Sequence, residues 1–353
     1  VIKVLITEDS PVVRGFLEYV LNSDPDIEVV GTAKDGEEAV RLAAEKKPDV
    51  ITMDIHMPRM DGFEATRRIM ETNPVPIVIC SASWNPEEVD KTFRTMEAGA
   101  VAALEKPRGM GHPDSEASVR ELLQTVKLMS EVSVVRRWSR LRRKAVEKPV
   151  QPRPAAEAKA GRVPAGDVKI VAMGASTGGP VIIQSILAAL PKPFPVPVLI
   201  VQHIAVGFLA GLAEWLMKST QFTVHIAADK QPLKAGHVFL SPDGFHLGID
   251  SQFRAILDEG DPEDNLRPAV SFLFRSVAKT LGKNSVGVLL TGMGRDGARE
   301  LKLIKDKGGT AIVQDKTSSV VWGMPGEAAK IGAADFVLTP GEIAQKLAEL
   351  IHK

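Results

Sequence analysis

The feature that most constrains this chain is an alternation. Short apolar runs are spaced by amphipathic segments, twice over, on either side of a stretch that can build no core. In the first part the runs are Val4–Thr7, Val29–Ala33, Val50–Met53, Ile77–Cys80 and Val101–Leu104. Between them lie segments such as Gly36–Lys46 and Phe63–Glu71, whose apolar residues recur at helical spacing. Five short strands alternating with helices in this space predict a parallel sheet covered on both faces. The alternation resumes after Asp167 with KIVAMG, VPVLIV, HVFL, VGVLL and TAIV. The fold class is therefore α/β in both halves, with ligand sites expected at the carboxyl ends of the strands. No internal repeat relates the halves.

The joint differs in composition. A helix is predicted from Ser115 to about Lys144. Its later part, Val132–Lys148, carries Arg136, Arg137, Arg140, Arg142, Arg143, Lys144 and Lys148 against one acid, Glu147. Such a run is either a solvated helix face or a docking surface. Residues 149–166 hold four prolines and no aromatic residue, and read as an extended linker. The expected organisation is a first domain over 1–125, a basic helix and Pro/Ala-rich linker over 126–166, and a second domain over 167–353.

Charge and composition remove several function classes. Lys+Arg and Asp+Glu are both 44, so the chain lacks the basic excess that non-specific nucleic-acid binding needs. The lone cysteine, Cys80, can form neither an internal disulfide nor a cysteine-rich zinc site. No apolar run approaches the ~18 residues of a membrane span. VIKVLITEDS has no signal-peptide pattern, and a cytoplasmic protein without membrane insertion is expected.

The first half gathers acids at strand ends. Glu8 and Asp9 follow the first run and Asp54 follows the third. Adjacent parallel strands would bring all three together, where they repel unless a cation sits among them. All-oxygen ligation suits Mg²⁺. The fourth run ends at Ser81, and the fifth is followed by Lys106-Pro107. Carboxylate, cation, hydroxyl and ammonium together describe a site that accepts a phosphoryl group on Asp54. His56 reads as a loop residue, not a metal ligand.

The segment MDIHMPRMDG, Met53 to Gly62, closely resembles the phosphorylation loop of response-regulator receiver domains. The resemblance covers roughly the first 110–125 residues. It implies a flavodoxin-like fold with Asp54 as phosphoacceptor. It makes Glu8, Asp9 and Asp54 the Mg²⁺ ligands, Ser81 the switch hydroxyl and Lys106 the phosphate-sensing ammonium. Receivers often carry an aromatic residue in the fifth strand; here Ala103 takes that place.

The second half contains Gly174-Ala175-Ser176-Thr177-Gly178 between an apolar run and the helix-like VIIQSILAAL. This is G-x-S-x-G in the strand–turn–helix setting of a nucleophile turn. A Gly-rich turn also holds nucleotide phosphates, but GASTGG lacks the G-x-G-x-x-G spacing. His203 follows VPVLIVQ, and Asp296 lies in LLTGMGRDGA after VGVLL. All three thus fall at one sheet edge, as nucleophile, base and orienting acid. Their chain order, Ser–His–Asp, departs from the Ser–Asp–His of α/β-hydrolases and predicts a different fold with a convergent site. The expected fold of this half is a doubly wound α/β domain with a mainly parallel sheet. His225, His237 and His246 show no metal-ligand spacing; the first two fall in or beside predicted strands and His246 in a turn.

With GASTGGP, VQHI, AGHVFLSPDGFHL, RPAVSFLFRSVA, GVLLTGMGRDGA and VVWGMPGEA added, the whole chain resembles the chemotaxis response-regulator protein-glutamate methylesterases. The resemblance implies a phosphorylation-activated serine hydrolase that demethylates chemoreceptor glutamyl esters and deamidates glutamines. Its partners would be a chemotaxis histidine kinase and the cytoplasmic domain of a methylated chemoreceptor. The esterase would need no cofactor. Ser176, His203 and Asp296 would be catalytic, with Thr177 and Met293 supplying oxyanion contacts through backbone N–H groups. The alternatives are a chemosensory-like pathway with another methylated protein, a binding output such as DNA, and a nucleotide-dependent enzyme. Ile204–Lys218 departs from the family pattern. Its stripe of Phe208, Leu212, Trp215 and Leu216 is either core or, through Trp215, a receptor-facing surface.

Overall fold

The computed structural model describes residues 1–81, 86–107, 115–132, 134 and 168–351. The basic run, apart from Val132 and Val134, and the linker lie outside the described residues.

The first domain is a five-stranded parallel sheet: β1 Ile2–Thr7, β2 Ile27–Ala33, β3 Val50–Met53, β4 Ile77–Ser81 and β5 Ala102–Glu105. Its spatial order is β2-β1-β3-β4-β5. Helices α1 Pro11–Asn22, α2 Gly36–Lys46, α3 Gly62–Thr72, α4 Pro86–Ala98 and α5 Ser115–Ser130 connect and flank these strands. The helix starts are written locally. Ser10, Asp35 and Asp61 each accept the backbone N–H three residues on, at Val13, Glu38 and Glu64. Every residue of β3 and β4 is buried, which is why those strands show no alternation in sequence. Helix α5 ends at Ser130, short of Lys144.

The second domain is built on a seven-stranded sheet. Its strands are β6 Ile170–Ala175, β7 Val198–Gln202, β8 Thr223–Ile226, β9 His237–Leu240, β12 Ser285–Leu289, β13 Thr310–Gln314 and β14 Phe336–Leu338. The order is β14-β13-β12-β6-β7-β9-β8, with all adjacent pairs parallel. Helices α6 Gly179–Ala189, α7 Leu209–Thr220, α8 Val270–Thr280, α9 Ala298–Asp306, α10 Met324–Lys330 and α11 Pro340–Ile351 connect and flank them. A separate antiparallel hairpin, β10 His246–Ile249 with β11 Ala255–Asp258, packs beside α8. His246 is therefore a buried strand residue, not a turn residue as its sequence neighbours suggest. The SPDG turn lies before it.

The chain passes from β6 to β7 on one side and returns through β12 on the other. That reversal is where a doubly wound sheet opens a crevice at its carboxyl edge.

The two domains meet through α4 and α7. Phe93 stacks on Trp215 with ring centroids 4.9 Å apart, and packs edge-on to Phe208. All three are 5% exposed or less. Trp215 is thus covered by the first domain in this arrangement, and a receptor could reach it only where the first domain has moved away. The apolar stripe marks an interface that sequence periodicity cannot tell from core.

Candidate functional site

Two glycines set the Ser176 turn. A Cβ on Gly174 would lie 2.2 Å from Val270 Cγ1, so β6 approaches α8 too closely for any side chain. Gly178 has φ +77°, and a Cβ there would meet Val320 at 2.5 Å. Ser176 N–H donates to Thr291 O at 3.0 Å, and Gly179 N–H to Ser176 O at 2.8 Å. The Thr291 hydroxyl, on a fully buried residue, donates to Thr177 O at 2.9 Å and accepts Val321 N–H at 2.9 Å. Gln202 Nε2 bridges Ser176 O (2.9 Å) and His203 O (2.7 Å). Thr291 and Gln202 escape sequence reading because each acts through the backbone of others.

β6 and β7 pair with Ala175 opposite Gln202, so Ser176 and His203 leave neighbouring strands together. His203 N–H donates to Ala175 O at 2.9 Å. His203 Nε2 lies 3.0 Å from Asp296 Oδ2, ion-pair distance for an imidazolium, although the ring is not turned to form a well-directed hydrogen bond. Asp296 is also held by the start of α8. Val270 N–H donates to Oδ2 at 2.7 Å and Ser271 N–H to Oδ1 at 2.9 Å. Burial acts to raise the Asp296 pKa, but the close His203 imidazole and the bonds from Ser271 outweigh it and hold the carboxyl below its ordinary value. Asp296 therefore faces His203 as an anion.

Ser176, Thr177 and His203 form one wall of a cavity of about 310 Å³. Phe93, Ala103 and Glu121 of the first domain form part of the opposite wall. Met293 is more than half exposed at the loop leading to Asp296.

In the first domain, β1 lies between β2 and β3, so Glu8, Asp9 and Asp54 converge. One carboxylate oxygen from each falls within 4.8 Å of the others, an arrangement that can hold a cation. Lys106 Nζ lies 2.7 Å from Glu8 Oε2 and 3.0 Å from Asp54 Oδ2. Burial pushes the Glu8 pKa up, with the neighbouring Asp54 charge adding to it against the pull of Lys106. Burial opposes the Lys106 charge, yet Glu8 and Asp54 leave its pKa raised. Ser81 is buried at the end of β4. His56 is exposed and stands outside the acid cluster. Burial pushes the Cys80 thiol up to about 12, which removes it as a nucleophile.

Comparison with known proteins agrees in both halves. A model described as CheB methylesterase matches residues 171–347, and one described as response regulator receiver domain matches residues 4–112. The second domain is similar to the crystal structure of the Thermotoga maritima CheB methylesterase catalytic domain: 41% identity over 52% of this chain and 99% of that one, TM-score 0.51. A protein-glutamate methylesterase/protein-glutamine glutaminase of Syntrophus aciditrophicus is 51% identical over 99% of this chain and 98% of its own length. One of the same description from Nitrosospira multiformis is 51% identical over 99% and 97%. The chain belongs to the receiver-linked CheB methylesterase family. These relatives lend no support to a binding output or a nucleotide-dependent enzyme. No described helix is long and apolar enough to cross a membrane.

Proposed function

We propose that the chain is a phosphorylation-gated serine hydrolase that removes methyl esters from chemoreceptor glutamates, and amide nitrogen from receptor glutamines. The observation that carries this reading is the grouping of Ser176, His203 and Asp296 at one sheet edge, walled by the first domain. Ser176 Oγ attacks the ester carbonyl while His203 takes its proton. Nε2 lies on the Asp296 side of the ring, 3.0 Å from Oδ2, which leaves Nδ1 as the nitrogen to take that proton. The oxyanion faces the Thr177 and Met293 N–H groups. His203 returns the proton to the leaving methoxide, methanol departs, and water resolves the glutamyl-enzyme to glutamate. A glutamine substrate releases ammonia by the same steps.

Gating follows from the contacts of β5. Lys106 immediately follows that strand and pairs with both Glu8 and Asp54, while Ala102, Ala103 and Leu104 line the catalytic cavity. A phosphoryl group on Asp54 would draw Lys106 and Ser81 toward it and shift the strand end that walls the cleft. The small Ala103 side chain leaves this movement to the strand rather than to a swinging ring. Glu8, Asp9 and Asp54 suit Mg²⁺, which would offset the carboxylate charge during phosphoryl transfer. A histidine kinase of the chemotaxis type would be the phosphodonor, and a cytoplasmic setting follows from both partners.

A small-molecule phosphodonor should add one phosphoryl mass to the chain only when Mg²⁺ is present. Asp54→Asn should neither gain that mass nor rise above basal hydrolysis. Stimulation of Asp54→Asn by the phosphodonor would place the switch elsewhere.

A further inference from the structure

His246 belongs to β10, outside the parallel sheet, and is 1% exposed. Its imidazole is held on three sides. Nδ1 accepts the Ala269 N–H at 3.2 Å, and Nε2 lies 3.1 Å from Asp261 O. The ring stacks on Phe272 at 4.8 Å between centroids. One tautomer serves both bonds: Nδ1 bare, Nε2 protonated.

Ala269 is the N-cap of α8, and its methyl group can cap nothing. The next two N–H groups, of Val270 and Ser271, go to the Asp296 carboxylate. Gly297 N–H returns to Ser271 Oγ at 2.9 Å. The start of α8 and the Asp296 loop therefore clamp each other, and His246 pins the residue where that clamp begins.

The geometry points to His246 as a positioning residue for the esterase reaction. By holding the Ala269 N–H, it fixes the end of α8 that aims Asp296 at His203. The inference rests on the triad assignment above. Release of that end would turn the carboxylate away from the imidazole without disturbing ester binding. Misplacement by about 1 Å can cost about a hundredfold in rate, and the loss should fall on kcat rather than KM.

Two amides separate the roles of the two nitrogens. In His246→Asn, Oδ1 sits near the Nδ1 position and can still accept Ala269 N–H. In His246→Gln, the amide reaches the Nε2 position and leaves that N–H unanswered. With a methylated receptor fragment as substrate, His246→Gln should lower kcat about ten- to a hundredfold with KM within about twofold. His246→Asn should recover most of the loss, although both variants forfeit the stacking on Phe272 and should melt at similarly lowered temperatures. Wild-type kcat in folded His246→Gln, or equal losses in the two variants, overturns the inference.

If neither buried variant folds, Ser271→Ala tests the same clamp from the helix side. It should lower kcat at unchanged KM, and Ser271→Thr should restore it; wild-type kcat in Ser271→Ala overturns the clamp. Ser176→Ala keeps the two levels apart. Turnover by Ser176→Ala means the triad itself is wrong. An inactive Ser176→Ala beside a failed amide comparison means only the positioning role is wrong.

Discussion

Ser176→Ala should reduce ester hydrolysis by about 10⁴–10⁶-fold, the scale of losing a nucleophile from a working triad. The domain should still fold. Ser176 sits in a turn held by its backbone, through Thr291, Gly179 and Gln202, and none of those bonds uses the Ser176 hydroxyl. Circular dichroism and melting should match the parent chain. His203→Ala should lose nearly as much, and the double variant little more, because the groups act as one unit. A test on a small activated ester and on methylated receptor should give the same ranking. Substantial turnover by folded Ser176→Ala would rule out the covalent serine route.

Phe93→Asp should raise basal hydrolysis in the absence of any phosphodonor. Phe93 belongs to the first domain but is 1% exposed, because Trp215 and Phe208 of the second domain cover it. Burying a phenylalanine contributes about 1.5–3 kcal/mol. Losing that packing should shift the covered-to-open ratio about ten- to a hundredfold, and a buried carboxylate would push further the same way. The rise should show as higher activity toward receptor, and a phosphodonor should then add little. Unchanged basal activity, with full stimulation retained, would mean that the aromatic stack is not the closure.

Much of this architecture is legible in the sequence because parallel strands have a plain signature. Val50–Met53 and Ile77–Ser81 are buried on both faces, so each reads as an unbroken apolar run flanked by helical spacing. Site residues at strand ends are legible for the same reason. Asp54, Ser176 and His203 each follow an apolar run directly, and the sheet order brings them to an edge. What sequence reading misses is long-range. Trp215 has the spacing of a core residue and proves to be an interface residue, because its partner Phe93 lies in another domain. His246 stands between a turn and a short strand, and nothing local announces that it answers an N–H group on α8, 23 residues on. Thr291 and Gln202 work by hydrogen bonds to main-chain atoms, which carry no residue identity to detect. The Asp296 pairing with two helix N–H groups is hidden likewise: Ala269, the N-cap, offers no side-chain acceptor, and the acid that replaces one comes from a distant loop.

The central claim is that phosphorylation of one domain releases a serine esterase in the other. The most direct measurement is methanol release from a methylated chemoreceptor cytoplasmic fragment by the purified full-length chain, with and without a small phosphodonor and Mg²⁺. The account predicts slow release alone and markedly faster release with both additions. No methanol under either condition would contradict the esterase, and equal release under both would contradict the gate.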